Sequence, residues 1–219
     1  MSTTIIILAS TSPRRRELIQ LFGLDCRFTS ADVDESPQPG ESPENLVRRL
    51  SIAKAEMGAR GFADSIVIGC DTIVSIDDTI LGKPTDSADA VRMLKLLRQR
   101  VHTVFSGLTV LQGDKQITQI ITTPVRMRNY SDDEITTYVA TGDPLDKAAS
   151  YAIQHNHFRP VERIEGCHAN VMGLPLCHLY LALENFGAPV NEPDLACQNH
   201  LSISCSVARN ILNPVNSEQ

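Results

Sequence analysis

The chain has 219 residues, of which 42% are hydrophobic and 21% are charged, and this composition is typical of a globular protein rather than a disordered one. The length predicts one large domain or two small lobes, with enough residues to bury a substantial core. The formal net charge of −6 argues against a nucleic-acid-binding protein, so a polyanionic ligand would need a local basic pocket.

The sequence predicts neither a secretory signal nor a membrane span. The apolar run over residues 5–9 is too short for a signal peptide, and no stretch reaches the length of a transmembrane helix. The six cysteines form no CxxC pair, and their spacings match no common zinc pattern. We therefore expect a cytoplasmic protein without a membrane partner, a disulfide or a cysteine-ligated metal.

The first predicted elements are a buried strand over residues 5–9 and a helix over residues 14–22. Between them stand small hydroxyl residues and a proline (10–13), and the helix begins with three arginines (14–16). Hydroxyls and free N–H groups at a helix start can bind an anion, and guanidinium groups match phosphate oxygens in pairs. Because cations in a first turn oppose the helix dipole, we favour a phosphate-binding loop over a solvated basic turn.

The rest of the chain alternates between predicted strands and helices. In chain order these are a strand over 26–29, an acidic loop over 31–41, a helix from Ser42 and Pro43 to about 60, a strand over 65–76, a short strand over 79–81, a helix over 87–99, a hairpin of 101–111 with 115–128, a helix from the Ser131 capping box to about 140, a strand over 161–165 and a helix over 174–186. Residues 187–219 show little periodicity. We therefore expect a single domain over residues 1–186, followed by a loosely ordered extension over 187–219.

Asp71 is the most unusual residue of the predicted strand over 65–76. Aspartate is disfavoured in strands, and the residues on both sides of Asp71 are apolar. Removing a carboxylate from water is costly unless a charged group meets it. The alternative is a bulge or strand end where Asp71 faces solvent, but the apolar flanks favour a functional carboxylate at the floor of a cleft.

Four further residues are weaker candidates, and each has a plain structural alternative. Lys83 follows Gly82, which would let the backbone approach a ligand, although on this motif alone a surface turn with a solvated lysine is the better explanation. Lys54 lies beside the apolar face of its helix, where an extended side chain commonly reaches solvent. Glu35 belongs to an acidic loop. Gln154 could bind a base edge or satisfy backbone groups.

In sequence order, these segments resemble the Maf family of nucleoside triphosphate pyrophosphatases, also described as septum-formation inhibitors. The matching pieces are LASTSPRRREL (8–18), VDES (33–36), AKA (53–55), IGCDTIV (68–74), LGKP (81–84), HTVFSG (102–107), DKAASYAIQ (146–154) and NVMGLPL (170–176). They fall in the family's order over residues 4–186, and eight pieces in order rarely arise by chance.

The resemblance implies an α/β fold with an elongated mixed sheet, flanking helices and two lobes around a central cleft, similar to inosine-triphosphate pyrophosphatases. It implies hydrolysis of a nucleotide between its α- and β-phosphates, which gives the monophosphate and pyrophosphate. A divalent cation is implied as cofactor, with Mg²⁺ first and Mn²⁺ as the alternative. A homodimer is a further expectation from the family.

The resemblance also assigns roles to residues of this chain. Asp71 would be catalytic, orienting or deprotonating the attacking water, and Glu35 with Asp71 would hold the metal. The residues implied to bind the substrate are Ser10, Arg14, Arg15, Lys54, Lys83 and Gln154. Gln154 belongs to the AIQ form of its motif, which resembles the branch acting on dTTP and UTP rather than on 7-methyl-GTP. Arg16 stands one position past the matched pair, and we expect it to be solvated.

Some positions depart from the family pattern, and other classes of protein stay open. His155 follows Gln154 where glycine is common, and His168 stands where tyrosine is usual, so the choice of base is less firmly implied. The DVD sequence over 32–34 would suit a haloacid-dehalogenase-type phosphatase, but the strand before it is not apolar. The absence of a GxxxxGK[ST] motif argues against a P-loop enzyme. A non-enzymatic septation regulator that binds a partner is the alternative from a different class.

Overall fold

A computed structural model describes residues 5–62 and 64–213 of the chain. The strands are β1 (Ile6–Ala9), β2 (Cys26–Thr29), β3 (Ile66–Ile76), β4 (Thr79–Leu81), β5 (Val101–Gln112), β6 (Lys115–Met127) and β7 (Val161–Ile164). The helices are α1 (Pro13–Gln20), α2 (Pro43–Ala59), α3 (Ser87–Leu97), α4 (Asp132–Ala140), α5 (His168–Val171), α6 (Leu176–Asn185), α7 (Asp194–Leu201) and α8 (Ala208–Leu212). No helix in these ranges is both long enough and apolar enough to cross a membrane.

All seven strands join one mixed sheet in the order β2-β1-β3-β5-β6-β7, with β4 paired to β3. The pairs of β1 with β2 and with β3 are parallel, and the remaining pairs are antiparallel. The β5–β6 hairpin turns at Gly113 and Asp114, where the sequence predicts it. The mixed α/β fold predicted from the sequence is therefore confirmed.

The middle of β3 has a strand neighbour on one edge alone. Along that edge β5 pairs with β3 from Val67 to Ser75. Along the other edge β1 pairs as far as Ile68, and β4 pairs only from Val74 onward. Within the described chain, residues 69–73 are thus left between the ends of two short strands. This opening in the sheet is the floor of the cleft.

Two hydrophobic cores flank this opening and form the two lobes. The first core packs β1, α1 and α6 against the first half of β3. The second packs α3, α4 and β4 against the second half of β3. On one face of β3, Cys70 faces the first core and Val74 the second, with Thr72 between them. The cleft therefore lies where the two cores meet.

Helix α2 packs unusually close to the opposite face of the sheet. A Cβ atom at Gly69 would collide with the backbone of Ser51, and one at Gly107 would collide with the backbone of Val47. Because the glycines on these two neighbouring strands have no side chain, the helix can approach the sheet this closely. This close approach places Lys54, one turn beyond Ser51, over Asp71.

The structure differs from the sequence-based expectations in three regions. One is the short helix α5 (His168–Val171), where the sequence predicts no element. Residues 143–150, to which no regular structure was assigned, form 3₁₀ turns over Asp143–Asp146 and Ala148–Ser150. Beyond residue 186, α7 and α8 pack against α6 in a segment where the sequence predicts little order. The other predicted elements are present, with bounds shifted by one or two residues at most ends.

Candidate active-site cleft

A cavity of about 480 Å³ opens beside the free edge of β3, and its size is that of a small-molecule site. One wall comes from β3, α2 and the acidic loop, and we call it the β3–α2 wall. The loop between β1 and α1 forms a second wall. Residues 143–154, with their two 3₁₀ turns, form a third, which we call the turn wall.

The β3–α2 wall contains a lysine held between two carboxylates. Lys54 Nζ lies 2.6 Å from Asp71 Oδ1 and 2.6 Å from Glu35 Oε1. Lys54 and Asp71 are 7% and 6% exposed, whereas the Glu35 side chain is 62% exposed. This contact gives the buried Asp71 a charged partner and excludes the alternative of a bulge that faces solvent. The alternative in which the Lys54 side chain extends into solvent is wrong, because Lys54 is buried.

Electrostatics around Glu35 favour its ionised form. Partial burial raises the pKa of Glu35, but the Lys54 ammonium, with Lys83 and Arg15 behind it, outweighs this and holds the pKa below its usual value. The loop that carries Glu35 is fastened to α2 by Arg49, which donates to Ser36 O at 3.0 Å and pairs with Glu41 at 2.8 Å. The carboxylate is therefore charged and positioned at neutral pH.

The loop between β1 and α1 brings the predicted phosphate-binding residues to the cavity. Ser10, Arg14 and Arg15 all line it, and Ser10 Oγ accepts a hydrogen bond from Ser12 N at 3.2 Å. Arg15 Nε donates to Gly173 O at 2.8 Å, and Arg15 Nη2 donates to Thr72 Oγ1 at 3.0 Å. Arg15 thus joins this loop to β3 and to the loop before α6. Two N–H groups of its guanidinium already donate to protein acceptors.

Arg16 is not solvated as expected from its position beyond the matched pair. Its Nε donates to Ser10 O at 3.2 Å, and its guanidinium lies 5.0 Å from the centre of the Phe28 ring. It is half-buried and does not line the cavity. Arg16 therefore packs against the side of the loop that faces away from the cavity. The aromatic ring of Phe28, on neighbouring β2, holds its guanidinium there.

The turn wall carries Gln154 and several residues that sequence reasoning did not assign to the site. Lys147, 8% exposed, donates to Asp143 Oδ1 at 2.8 Å and to Asp146 Oδ1 at 2.7 Å. All three line the cavity, as does Tyr151. The Asp146-Lys147 pair belongs to a motif that matches the family. The spacing of its residues does not, however, distinguish a segment that lines a cleft from an ordinary surface turn.

Hydrogen bonds behind the turn wall hold it in place. Tyr138 of α4 donates to Asp143 Oδ2 at 2.7 Å and accepts from Ala152 N at 3.1 Å. Partial burial raises the pKa of Asp143, but the hydrogen bonds from Lys147 and Tyr138 outweigh it and lower the pKa. Tyr151 OH lies 2.7 Å from Nε2 of the buried His102. The turn wall is therefore organised by polar contacts.

Every residue singled out for the site lines this one cavity. The residues are Ser10, Arg14, Arg15, Glu35, Lys54, Asp71, Lys83 and Gln154. The structure thus brings together segments that lie as far as 144 residues apart in the chain. Neither Asp32 nor Asp34 of the DVD sequence lines this cavity, and Asp34 accepts a hydrogen bond from Ser36 N at 2.9 Å within its own loop.

The cleft of this α/β fold brings the buried carboxylate of Asp71 and the exposed carboxylate of Glu35 together with a set of lysines and arginines. This class of site is suited to polyanionic ligands. The family model described as Maf-like protein matches residues 5–186. The chain therefore belongs to the Maf family, as the sequence motifs predict.

Curated relatives agree with this membership. The dTTP/UTP pyrophosphatase of Geotalea uraniireducens is 48% identical over 185 residues, which cover 84% of this chain and 95% of that protein. The dTTP/UTP pyrophosphatase of Dictyoglomus turgidum is 44% identical over 185 residues, with 83% and 96% covered. The structure of the Staphylococcus aureus Ham1 protein matches with a TM-score of 0.44 and 14% identity, and covers 84% of this chain and 100% of that one.

Proposed function

We propose that this chain is a nucleoside triphosphate pyrophosphatase that hydrolyses dTTP or UTP between the α- and β-phosphates, releasing the monophosphate and pyrophosphate. The observation that carries the proposal is the contact of Lys54 with both Asp71 and Glu35 across the cavity from Arg14 and Arg15. The names of relatives at 44–48% identity support the same reaction and the same pair of substrates.

The donor set of the β3–α2 wall fits a divalent cation. Carboxylate oxygens of Asp71 and Glu35 converge on the single positive charge of Lys54, and such oxygens are the ligands that Mg²⁺ prefers. We propose that these two carboxylates hold Mg²⁺, with Mn²⁺ as the alternative. When bound, the cation would neutralise charge on the phosphate oxygens.

The residues of the chain would supply the remaining chemistry. We propose that Asp71 accepts the proton of the attacking water, because its carboxylate is fixed at the cleft floor and borders the cavity. The charge that develops on the leaving pyrophosphate would be met by Arg14, Arg15 and Lys83. Ser10 and the start of α1 would bind phosphate oxygens through hydroxyl and N–H groups.

The base would lie against the turn wall, at the end of the cavity where Gln154 is exposed. The amide of Gln154 can donate to one base oxygen and accept from one base N–H, a pattern that the uracil and thymine edges share. We propose dTTP and UTP on this ground and on the names of the relatives, with 7-methyl-GTP as the competing substrate. We further propose that the protein acts in the cytoplasm as a homodimer and binds no nucleic acid.

Pyrophosphate release from a panel of nucleotides tests the proposal, with Asp71→Asn as the decisive variant. We expect pyrophosphate without orthophosphate from dTTP and UTP, and a loss of about 10²–10⁴-fold in kcat for Asp71→Asn, since a general base contributes on that order. The matched control is Asp77→Asn, because Asp77 lies at the exposed β3–β4 turn.

Each other outcome points to a different function. Orthophosphate release would indicate a phosphatase. Binding of nucleotides without any product would favour a regulator that binds its partner through the same cleft. Turnover of Asp71→Asn within about tenfold of the unsubstituted enzyme would remove Asp71 from the catalytic role.

A further inference from the structure

The backbone carbonyl of Gly173, in the loop between α5 and α6, is the meeting point of three side chains beside the cleft. It accepts hydrogen bonds from Arg15 Nε at 2.8 Å, from Cys70 Sγ at 3.2 Å and from Thr72 Oγ1 at 3.4 Å. Thr72 Oγ1 also accepts from Arg15 Nη2 at 3.0 Å. Helix α1 and strand β3 are therefore both fastened to one carbonyl oxygen, to which the proposed chemistry gives no role.

These contacts fix how the Arg15 guanidinium is turned. Nε–H and the adjacent Nη2–H form one edge of the planar group, and that edge is taken by Gly173 O and Thr72 Oγ1. The other three of its five N–H groups lie at the far end, where Nη1 and Nη2 form a second fork. Because Arg15 lines the cavity, this second fork is the one that can meet phosphate oxygens.

Glycine suits the backbone that directs this carbonyl at Arg15. Gly173 has a φ of 109°, which residues with a side chain rarely adopt. A Cβ atom there would stand 3.5 Å from Arg15 Nε and 3.7 Å from Thr72 Oγ1, which is ordinary contact. The preference for glycine thus comes from the direction of the backbone and not from a shortage of space.

Asn170 holds the same loop to the sheet. Its side chain is fully buried, and Nδ2 donates to Thr123 Oγ1 at 3.0 Å, with the carbonyl oxygens of Val104 and Ile121 at 3.5 and 3.4 Å. Its backbone carbonyl accepts from Gly173 N at 2.9 Å. One residue thus joins strands β5 and β6 to the turn that presents the Gly173 carbonyl.

The amide of Asn170 is not explained by packing alone. Its Oδ1 is buried without a hydrogen-bond partner among the described residues. An unsatisfied buried acceptor is destabilising, whereas an apolar side chain of similar size would carry no such cost. An apolar side chain, however, could not donate to the sheet and so could not fix the direction of the turn. The position therefore points to a requirement for orientation.

We propose that Asn170 is a positioning residue for Arg15. By fixing the turn that ends at Gly173, it directs the carbonyl that orients the guanidinium toward the phosphates. Asn170 does not line the cavity, so it acts through Gly173 and Arg15 and not on the ligand itself. The inference rests on the proposed function in one respect, namely that Arg15 binds phosphate oxygens.

Calorimetric titration of the full chain with inorganic pyrophosphate, in the presence of Mg²⁺, tests the proposal. We expect Asn170→Ala to weaken binding by about tenfold, because a misdirected guanidinium loses one charge-assisted hydrogen bond. The control is Asn185→Ala, at an exposed position at the end of α6, which should bind like the unsubstituted chain.

The same titration in an Arg15→Lys background separates positioning from a structural role. Lysine keeps the charge but cannot make the fork to Gly173 and Thr72. In this background Asn170→Ala should weaken binding by less than about twofold further, since its effect passes through the guanidinium. A residue that only stabilised the fold would weaken binding by the same factor in both backgrounds.

Thr123→Val keeps the test decisive if Asn170→Ala does not fold. It removes the nearest acceptor of the Asn170 amide and nearly preserves the shape of the side chain. We expect a loss of about threefold or more in the unsubstituted chain and little further loss in the Arg15→Lys background. Urea unfolding of each variant shows whether its fold is retained.

The proposal is overturned if the unsubstituted chain does not bind pyrophosphate, if both variants bind it like the unsubstituted chain, or if their losses are equal in the two backgrounds. Failure of the proposed function would look different, because binding of pyrophosphate requires no turnover. A chain whose pyrophosphate binding depends on Asn170 through Arg15, but which releases no pyrophosphate from dTTP or UTP, would keep this inference and lose the proposed reaction.

Discussion

The β3–α2 wall and the turn wall face the same cavity but are fixed by different physical means. The first is built on a long strand and the longest described helix, and close packing at Gly69 and Gly107 positions its charges. The second is built on 3₁₀ turns with left-handed backbone at Ala149 and Ser150, and hydrogen bonds hold it. We therefore predict that substitutions in the β3–α2 wall mainly lower kcat, whereas substitutions in the turn wall mainly weaken substrate binding.

Removing the lysine of the β3–α2 wall should have the largest effect. Lys54→Met leaves the buried Asp71 without its cation, so we expect kcat/KM to fall by at least about 10²-fold and the free energy of unfolding to fall by about 3 kcal/mol. Steady-state kinetics and urea unfolding measure the two effects.

The control for that change is Lys95→Met. Lys95 pairs with Asp132 at 2.8 Å on the surface, where both side chains are about half exposed, so we expect a loss below about 1 kcal/mol and unchanged kinetics. Equal stability losses in the two variants would mean that the buried contact of Lys54 with Asp71 stabilises the fold no more than the surface ion pair does.

Removing the lysine of the turn wall should change affinity more than rate. Lys147→Met leaves Asp143 and Asp146 unpaired at the cavity, where they would repel a triphosphate, so we expect KM to rise about tenfold with kcat within about threefold. Adding Asp146→Asn should recover part of the loss, because it removes one of the exposed negative charges. A fall in kcat with KM unchanged would place Lys147 in the chemical step and contradict the division between the walls.

The histidine behind the turn wall should have no effect at neutral pH, and its effect appears only in acid. Burial lowers the pKa of His102 from 6.5 to about 4, so the folded state binds fewer protons than the unfolded state between those values. This contribution to stability is fully present above pH 6.5 and is lost as the pH falls toward 4. We expect the loss to reach about 2–3 kcal/mol near the lower value.

Urea unfolding at neutral and acid pH measures this loss. In His102→Asn, the part of the acid destabilisation that is due to His102 should disappear, whereas His157→Asn, at an exposed position, should behave like the unsubstituted chain. Identical pH profiles for all three proteins would show that the buried imidazole does not govern this dependence.

Local sequence predicted most of the regular elements and singled out Asp71 in the β3–α2 wall, whereas Lys54 and Glu35 were assigned to the site only by the family resemblance. An aspartate inside an apolar strand is costly unless it is paired, so Asp71 pointed to a charged partner before any contact was known. The Ser131 capping box and the Gly113 turn are local motifs with fixed geometry, and both are present.

Features that depend on long-range packing could not be predicted in the same way. The partners of Arg15, at Thr72 and Gly173, lie 57 and 158 residues away, and nothing local indicates them. The 3₁₀ turns of the turn wall have no periodic hydrophobic pattern.

The closeness of α2 to the sheet has a consequence for how this protein can vary. Gly69 and Gly107 do not line the cavity, yet any side chain at either position would push α2 outward by roughly the width of a methyl group. The ammonium of Lys54 would then be lifted from the carboxylate beneath it. Substitutions at these two positions should therefore impair the site even though neither position lines the cavity. The absence of a side chain there sets the distance between α2 and the sheet.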